Sequence, residues 1–183
     1  MAAIVLPANI CASLNIVLPV TAVLQNCHVA KLKNGYMKTI FDETTLNELT
    51  KRISRISETS KAEWGKMNIY QMLKHCTQWE EMMLGKKKFK RAFLGRLFGK
   101  IALKDLLKDE SPMKRGLPTL PEFKIRGTGD VASERDKWIA LLEEHAHCSN
   151  PDFVHPFFGK MTKEQSGYLA YKHIDHHLRQ FGS

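Results

Sequence analysis

Apolar residues recur three and four positions apart in four stretches of the chain, the spacing that places them on one face of an α-helix. These stretches predict long helices over about residues 42–57, 68–84, 133–145 and 162–180. No stretch alternates apolar and polar residues over a length useful for a strand. The pattern therefore predicts an all-α protein, most simply a four-helix bundle with a site built between facing helices.

Capping residues support the predicted ends of these helices. Thr45 and Glu48 have the capping-box spacing at the start of the first helix, and Thr162 and Gln165 have it at the start of the fourth. Gly182 follows the fourth helix, where a left-handed C-terminal residue is expected.

A histidine interrupts the apolar stripe of the second predicted helix. His75 lies in line with Met72, Trp79 and Met83, so its imidazole is expected inside the bundle. A buried imidazole left without a polar partner costs about 1 to 3 kcal/mol. A backbone carbonyl, a carboxylate or a metal ion could each supply that partner.

The fourth predicted helix carries two histidines on one face. His173 and His177 are four residues apart, so their imidazoles can meet the same ion. Histidines near a helix C-terminus also offset the macrodipole, which is the alternative interpretation, and Arg179 lies in the same turn. With His75, however, three imidazoles from two helices would form a metal site with open coordination positions. Such donors suit zinc, nickel, iron and copper alike, and manganese is a further candidate.

Four other residues near this predicted site could take part in its chemistry. Asp175 and Glu80 are candidate acid or base groups, with solvated or ion-paired side chains as the alternative. His155, in a loop before the fourth helix, and His176, beside His177, are candidates for supporting the metal ligands. The sequence identifies no catalytic residue.

Histidines and a cysteine also close the third predicted helix. His145, His147 and Cys148 could resemble a second metal site, but residues two apart point to different faces, so we interpret the histidines as offsetting the helix dipole. Cys76 is predicted to be a core residue that does not share the ion with His75. None of the four cysteines forms a CxxC pair, which predicts reduced thiols and a cytoplasmic protein.

The histidine-bearing segments resemble a known class of metalloproteins. The sequence HPFFGKMTKEQSGYLAYKHIDHHLRQFG (155–182), preceded by WGKMNIYQMLKH (64–75), is similar to the DinB-like, or YfiT-like, four-helix proteins, within them to a subfamily with a C-terminal HxxHHxRQFG signature. The resemblance covers about residues 37–182. It implies that His75, His173 and His177 hold a metal ion whose open positions carry water.

The same resemblance suggests a class of activity. Some relatives of that family transfer low-molecular-weight thiols, so the implied activity is a metal-dependent hydrolase or thiol S-transferase acting on a small molecule. A non-catalytic metal-binding stress-response module is the alternative. The oligomeric state stays open, with a homodimer among the alternatives.

The first 36 residues differ from the rest of the chain. They contain an apolar stretch, but Pro7 and Pro19 interrupt it and no positive charge precedes it. The stretch therefore makes a poor signal peptide or membrane span. We predict that residues 1–36 are a disordered extension or a mis-assigned start, with an inefficient secretion signal as the alternative. A single domain is expected over residues 37–183.

A basic crossover between the second and third helices supplies most of the net charge of +9. Residues 86–115 contain eleven Lys or Arg and three acidic residues, with large apolar residues interleaved: Phe89, Phe93, Leu94, Leu97, Phe98 and Ile101. Such a segment could bind nucleic acid, a membrane interface or another anionic surface. The favoured interpretation is that the apolar residues dock the crossover on the bundle, which argues against nucleic acid as a partner.

Overall fold

The computed structural model describes residues 37–148, 150 and 152–183, and the predicted extension over residues 1–36 lies outside them. The described residues form five α-helices: α1 (Glu43–Ser54), α2 (Ile69–Met83), α3 (Phe93–Leu106), α4 (Val131–His147) and α5 (Lys163–Gln180). A short 3-10 helix (Pro121–Phe123) precedes α4. A hairpin of two antiparallel strands with two residues each, β1 (Val154–His155) and β2 (Gly159–Lys160), precedes α5. This mostly helical content agrees with the predicted all-α class. No helix in the described part of the chain combines the length and hydropathy needed to span a membrane.

Side-chain caps define where α1, α2, α4 and α5 begin. The N-cap of α1 is Asp42, whose carboxylate accepts the backbone N–H of Thr45 at 2.8 Å. The predicted capping box of Thr45 with Glu48 is therefore wrong, because Thr45 is already inside the helix and the carboxylate before it satisfies the first turn. The capping box of Thr162 and Gln165 at α5 is confirmed.

The core forms where α2 packs on α4, α4 on α1 and α1 on α5. Ten of the fifteen residues of α2 are buried, which makes it the most enclosed of these helices and carries His75 into the interior. Burial of apolar surface at about 25 cal/mol per Å² stabilises this arrangement. The fully buried side chains around α2 include Leu49, Ile53, Met72, Leu73, Trp138, Leu142, Ile174 and Leu178.

The basic crossover contains α3, and it docks differently from the prediction. Phe89 packs at the edge of the core, but the expected docking through the other apolar residues is wrong, because these side chains are exposed: Phe93, Leu94, Leu97, Phe98 and Ile101. Instead, Gly95 and Gly99 face the hairpin, where an added Cβ would lie 2.5 Å or less from the carbonyl oxygen of Phe157. The absence of side chains on this face lets the two backbones meet, so the large residues remain on the opposite face.

Candidate metal centre

The first of the three predicted ligands, His75, is held in the middle of α2 by a backbone carbonyl. Its Nδ1 lies 3.1 Å from the carbonyl oxygen of Phe123 in the 3-10 helix. Because a carbonyl can only accept a hydrogen bond, Nδ1 carries the proton and the Nε2 lone pair is left available. This is the arrangement that orients an imidazole for metal binding.

His177 is oriented through the side chain of Gln180. Its Nδ1 lies 2.9 Å from Oε1 of Gln180, whose Nε2 donates to the carbonyl oxygen of Trp64 at 2.9 Å. Since the amide nitrogen donates to that carbonyl, Oε1 is the acceptor facing the imidazole. His177 therefore also carries its proton on Nδ1 and presents a free Nε2 lone pair.

His173 contacts both of the other rings, with ring centroids 5.3 Å from His75 and 4.7 Å from His177. Its Nε2 is 3.2 Å from Nε2 of His75, and Trp79 stacks on its ring with centroids 4.5 Å apart. Two imidazole nitrogens on a tetrahedral ion, each at about 2.0–2.1 Å, would be about 3.3 Å apart. The observed nitrogen–nitrogen distance thus matches that of two ligands of one ion.

Together the three histidines form a compact buried group. One donor atom from each ring lies within 4.8 Å of the others, and the group contains three imidazoles and no carboxylate. Each residue is at most 8% exposed. A buried group of neutral nitrogen donors at this spacing could hold a metal ion.

The surroundings keep these imidazoles neutral. Burial lowers the pKa of His75, and burial together with the charge of neighbouring histidines lowers the pKa of His173 and His177 well below the ordinary value. A neutral imidazole is the form that binds a metal. The three nitrogens are therefore available as donors at neutral pH.

The buried polar atoms of the group also fit a cation. With their Nδ1 atoms protonated, His75 and His177 present Nε2 as an acceptor, and Nε2 of His173 lies within hydrogen-bond distance of Nε2 of His75. Without an ion, His173 can donate its Nε2 proton to His75, and a bound cation would take the place of that proton. Nδ1 of His173 is buried and has no hydrogen-bond partner in the described part of the chain. With a metal on Nε2, this atom would carry the proton of the ring.

The two supporting histidines predicted from the sequence lie in different surroundings. His155 is buried in the hairpin, and its Nδ1 accepts the backbone N–H groups of Phe157 and Phe158 at 3.1 and 3.2 Å. Burial, with a contribution from the nearby Arg91, lowers the pKa of His155 to about 3. His176 is half-buried and points toward Trp64, in a cleft of about 510 Å³ outside the three-histidine group.

Both candidate acid or base residues are already engaged. Asp175 accepts hydrogen bonds from Arg52 and Arg179, each at 2.8 Å. Glu80 is fully buried, and its Oε2 lies 2.7 Å from Nδ1 of His145. Neither carboxylate belongs to the three-histidine group. The structure thus agrees with the ion-paired interpretation of Asp175, whereas Glu80 is hydrogen-bonded to a histidine through one oxygen, and its Oε1 is buried with no partner among the described residues.

The end of α4 corrects one expectation. His145 was interpreted as offsetting the helix dipole, but it is buried and pairs with Glu80, because α4 packs directly on α2 there. His147 is exposed and contacts the carbonyl oxygen of Glu143, in keeping with the interpretation as an end-of-helix residue. Cys76 is buried in the core, and burial raises the pKa of its thiol well above the ordinary value.

Sequence reasoning missed the residues that orient the ligands. Gln180 could have been found, because it lies three residues after His177 on the same helix. The carbonyls of Phe123 and Trp64 could not, since backbone carbonyls have no sequence signature and both come from distant loops.

A model of the family described as "Protein of unknown function (DUF1569)" matches residues 37–183. The chain belongs to this family. The matched region contains all three histidines of the buried group and the loops that orient them. Comparisons with curated proteins and with solved structures returned no match.

Proposed function

We propose that this DUF1569 protein binds one divalent transition ion through Nε2 of His75, His173 and His177 and uses it in catalysis on a small molecule. The observation that carries the proposal is the convergence of three buried imidazoles, without a carboxylate, on one point. When bound by three neutral donors, the ion would keep its full charge and act as a Lewis acid that lowers the pKa of a water or thiol in an open position.

The residues around the imidazoles would preorganise them. Phe123 and Gln180 hold the protons of His75 and His177 away from the ion, and Trp79 restricts the ring of His173 by stacking. Burial of all three rings excludes water from the ligand side of the site. Outer partners of this kind typically contribute tenfold to a hundredfold in metal affinity.

We further propose that the chain is a DinB-like four-helix bundle in which the activated group is a water, for hydrolysis, or a low-molecular-weight thiol, for S-transfer. The C-terminal HxxHHxRQFG signature supports this relationship. It is also supported by the pairing of α2 with α4 and of α1 with α4 and α5, which leaves α3 as an addition in the crossover. Zinc, nickel, iron, copper and manganese remain alternative ions.

A non-catalytic metal-binding role is the second candidate, and one observation favours it. Glu80 and Asp175, the two carboxylates predicted as proton acceptors, are committed to His145 and to two arginines. A hydrolase would then need a proton acceptor from the substrate or the solvent. The same holds for a thiol, whose proton must also leave when the ion lowers its pKa, so a binding role needs the fewest further groups.

Elemental analysis of the purified protein tests the metal site. We expect about one transition ion per chain in the wild type and loss of most of it in His173→Ala and His177→Ala. His147→Ala is the matched control, because it removes an exposed histidine and should keep the metal. Unchanged occupancy in both α5 variants would contradict the assignment.

Cobalt substitution then tests whether a coordination position is open. In the Co²⁺-loaded protein, a small thiol should add a thiolate-to-cobalt charge-transfer band if it reaches the ion, and metal-dependent thiol or ester turnover should follow in the native protein. Stoichiometric metal with no spectral change and no turnover would favour the non-catalytic role.

A further inference from the structure

One face of α3 is built for close contact with the protein. Gly95 and Gly99, four residues apart, leave room for the backbone at Phe157, and Leu103 on the same side is buried. Lys100 also donates to the carbonyl oxygen of Lys160 in β2. These contacts fix the rotation of α3 about its axis, so the side chains on its opposite face are held outward.

That outward face is apolar. Phe93, Leu94, Leu97, Phe98 and Ile101 are between 55% and 74% exposed. The described residues contain only two other large apolar side chains exposed to a comparable degree, Leu117 and Val154. Five such residues on one 14-residue helix form a contiguous patch, and patches of this kind mark an interaction site.

Basic residues border the patch. Arg96, Lys100 and Lys104 recur every four residues and so lie along one side of the apolar face. Lys88 and Lys90 precede the helix, and no carboxylate of the described residues pairs with either of them or with Arg96 or Lys104. Eleven cationic and three acidic residues leave a charge of +8 on residues 86–115.

We propose that α3 is an interfacial helix that docks the protein on an anionic phospholipid bilayer. Its apolar face would enter the boundary between headgroups and acyl chains while the basic side contacts anionic headgroups. Fourteen residues give a helix of about 21 Å, shorter than the hydrocarbon core of about 30 Å, so α3 would lie in the interface plane.

Charge distinguishes this occupant from others. A second copy of the chain would bring another net charge of +9 to a basic surface, and residues 1–36 contain no acidic residue to complement it. Nucleic acid would neutralise the cations but would leave five large apolar side chains in water. An anionic bilayer satisfies both the basic side and the apolar face.

Vesicle co-sedimentation of the full chain tests the proposal. We expect binding to vesicles of phosphatidylcholine with about 30% phosphatidylserine, and at least about tenfold weaker binding to pure phosphatidylcholine. The triple variant Phe93→Ser, Leu97→Ser, Ile101→Ser should lose at least about tenfold in affinity, because it removes most of the inserted surface. Its control, Leu117→Ser with Val154→Ser, changes the other exposed apolar residues and should bind like the wild type.

A second variant tests the contribution of the basic residues to vesicle binding. Arg96→Gln with Lys104→Gln should weaken binding several-fold at about 50 mM salt and less at about 500 mM, since salt screens headgroup charge. Lys51→Gln with Lys61→Gln removes two exposed charges elsewhere and should have little effect. All variants touch exposed side chains, so helicity and metal content should remain those of the wild type.

Four outcomes would overturn the proposal. One is no binding of the wild type to anionic vesicles at low salt. Another is a loss of vesicle affinity in the Leu117→Ser, Val154→Ser control that equals the loss in the triple variant. A third is tighter binding to duplex DNA that the apolar substitutions leave unchanged, which would assign the surface to nucleic acid. The last is a concentration-dependent dimer abolished by the triple variant, which would assign it to a second copy.

Discussion

Trp79 contacts histidines from two groups in which the buried imidazoles have different hydrogen-bond partners. His173, stacked on Trp79, belongs to the three-histidine group, where the partners of Nδ1 are neutral oxygens or absent. His145, whose ring centroid lies 6.1 Å from that of the indole, donates instead to the carboxylate of Glu80. One group has a carboxylate to balance a positive charge, and the other does not.

The difference shows which feature of a buried histidine indicates a metal site. The carboxylate of Glu80 accepts a hydrogen bond from His145, and the pair links α2 to α4. In the three-histidine group, neutral oxygen partners on His75 and His177 leave Nε2 acceptors and no negative charge, an arrangement that could hold an external cation. Burial alone does not separate the two groups, because all four histidines are buried.

The largest expected effect is the response of the metal-free protein to acid. Histidine in the unfolded chain has a pKa of about 6.5, whereas burial lowers the pKa of His75, His173 and His177 in the folded state. Below that pH the unfolded chain takes up protons that the folded chain does not. As the pH decreases below about 6.5, the free energy of unfolding should therefore fall by up to about 1.4 kcal/mol per pH unit for each ring. Above about pH 7.5 it should no longer change with pH.

Urea unfolding of chelator-treated protein between about pH 5.5 and pH 7.5 measures this slope. His173→Asn should reduce the slope by removing one of the rings, whereas His147→Ala should not. His155, with its pKa lowered to about 3, should add to the slope in the same direction. Stability that is constant across the range would contradict the neutral state assigned to these histidines.

Removing Glu80 should affect stability but not metal content. In Glu80→Ala the buried imidazole of His145 loses its partner, which should lower the free energy of unfolding by about 1–3 kcal/mol, with a further loss from the cavity left by the side chain. Glu80→Gln keeps an oxygen that can accept the Nδ1–H of His145, so it should lower the free energy of unfolding by less. Chemical denaturation measures both variants, and elemental analysis should find the wild-type metal content in Glu80→Gln. Loss of the ion there would place Glu80 in the metal centre.

The sequence predicted the three-histidine group because its signal is periodic. His173 and His177 share a helix face, His75 lies in an apolar stripe, and the four long helices appear close to their predicted bounds. The environment of Glu80 and His145 was not predicted, because each lies on a different helix and only the packing of α2 on α4 brings them together.

The crossover shows a second limit of sequence reasoning. Alternating basic and apolar residues predict an amphipathic helix, but they do not say which face meets the protein. Gly95 and Gly99 decide this, since a face without side chains allows the closest approach to the hairpin. A pair of glycines four residues apart was the signal that could have corrected the docking prediction.

A smaller effect is expected for the residue that orients His177. Gln180→Ala removes the acceptor of its Nδ1–H, so the ring should lose its preferred tautomer and orientation, and metal affinity should fall about tenfold to a hundredfold. Competition with a chromogenic chelator measures the affinity. Asn47→Ala is the matched control, because it removes an exposed amide side chain on α1 outside the three-histidine group. Equal affinity in the wild type and Gln180→Ala would show that the orientation of His177 does not depend on this hydrogen bond.

The smallest effect is expected from shortening the chain. A protein that begins at Met37 keeps every residue of both histidine groups and every partner identified for them, from Trp64 to Gln180. Its melting temperature should therefore lie within about 5 °C of that of the full chain, roughly 1 kcal/mol for a domain of this size, with the same metal content. Calorimetry and elemental analysis of the two proteins make the comparison. A larger drop would mean that residues 1–36 stabilise the domain, and loss of metal without a change in melting temperature would mean that they contribute to the metal centre.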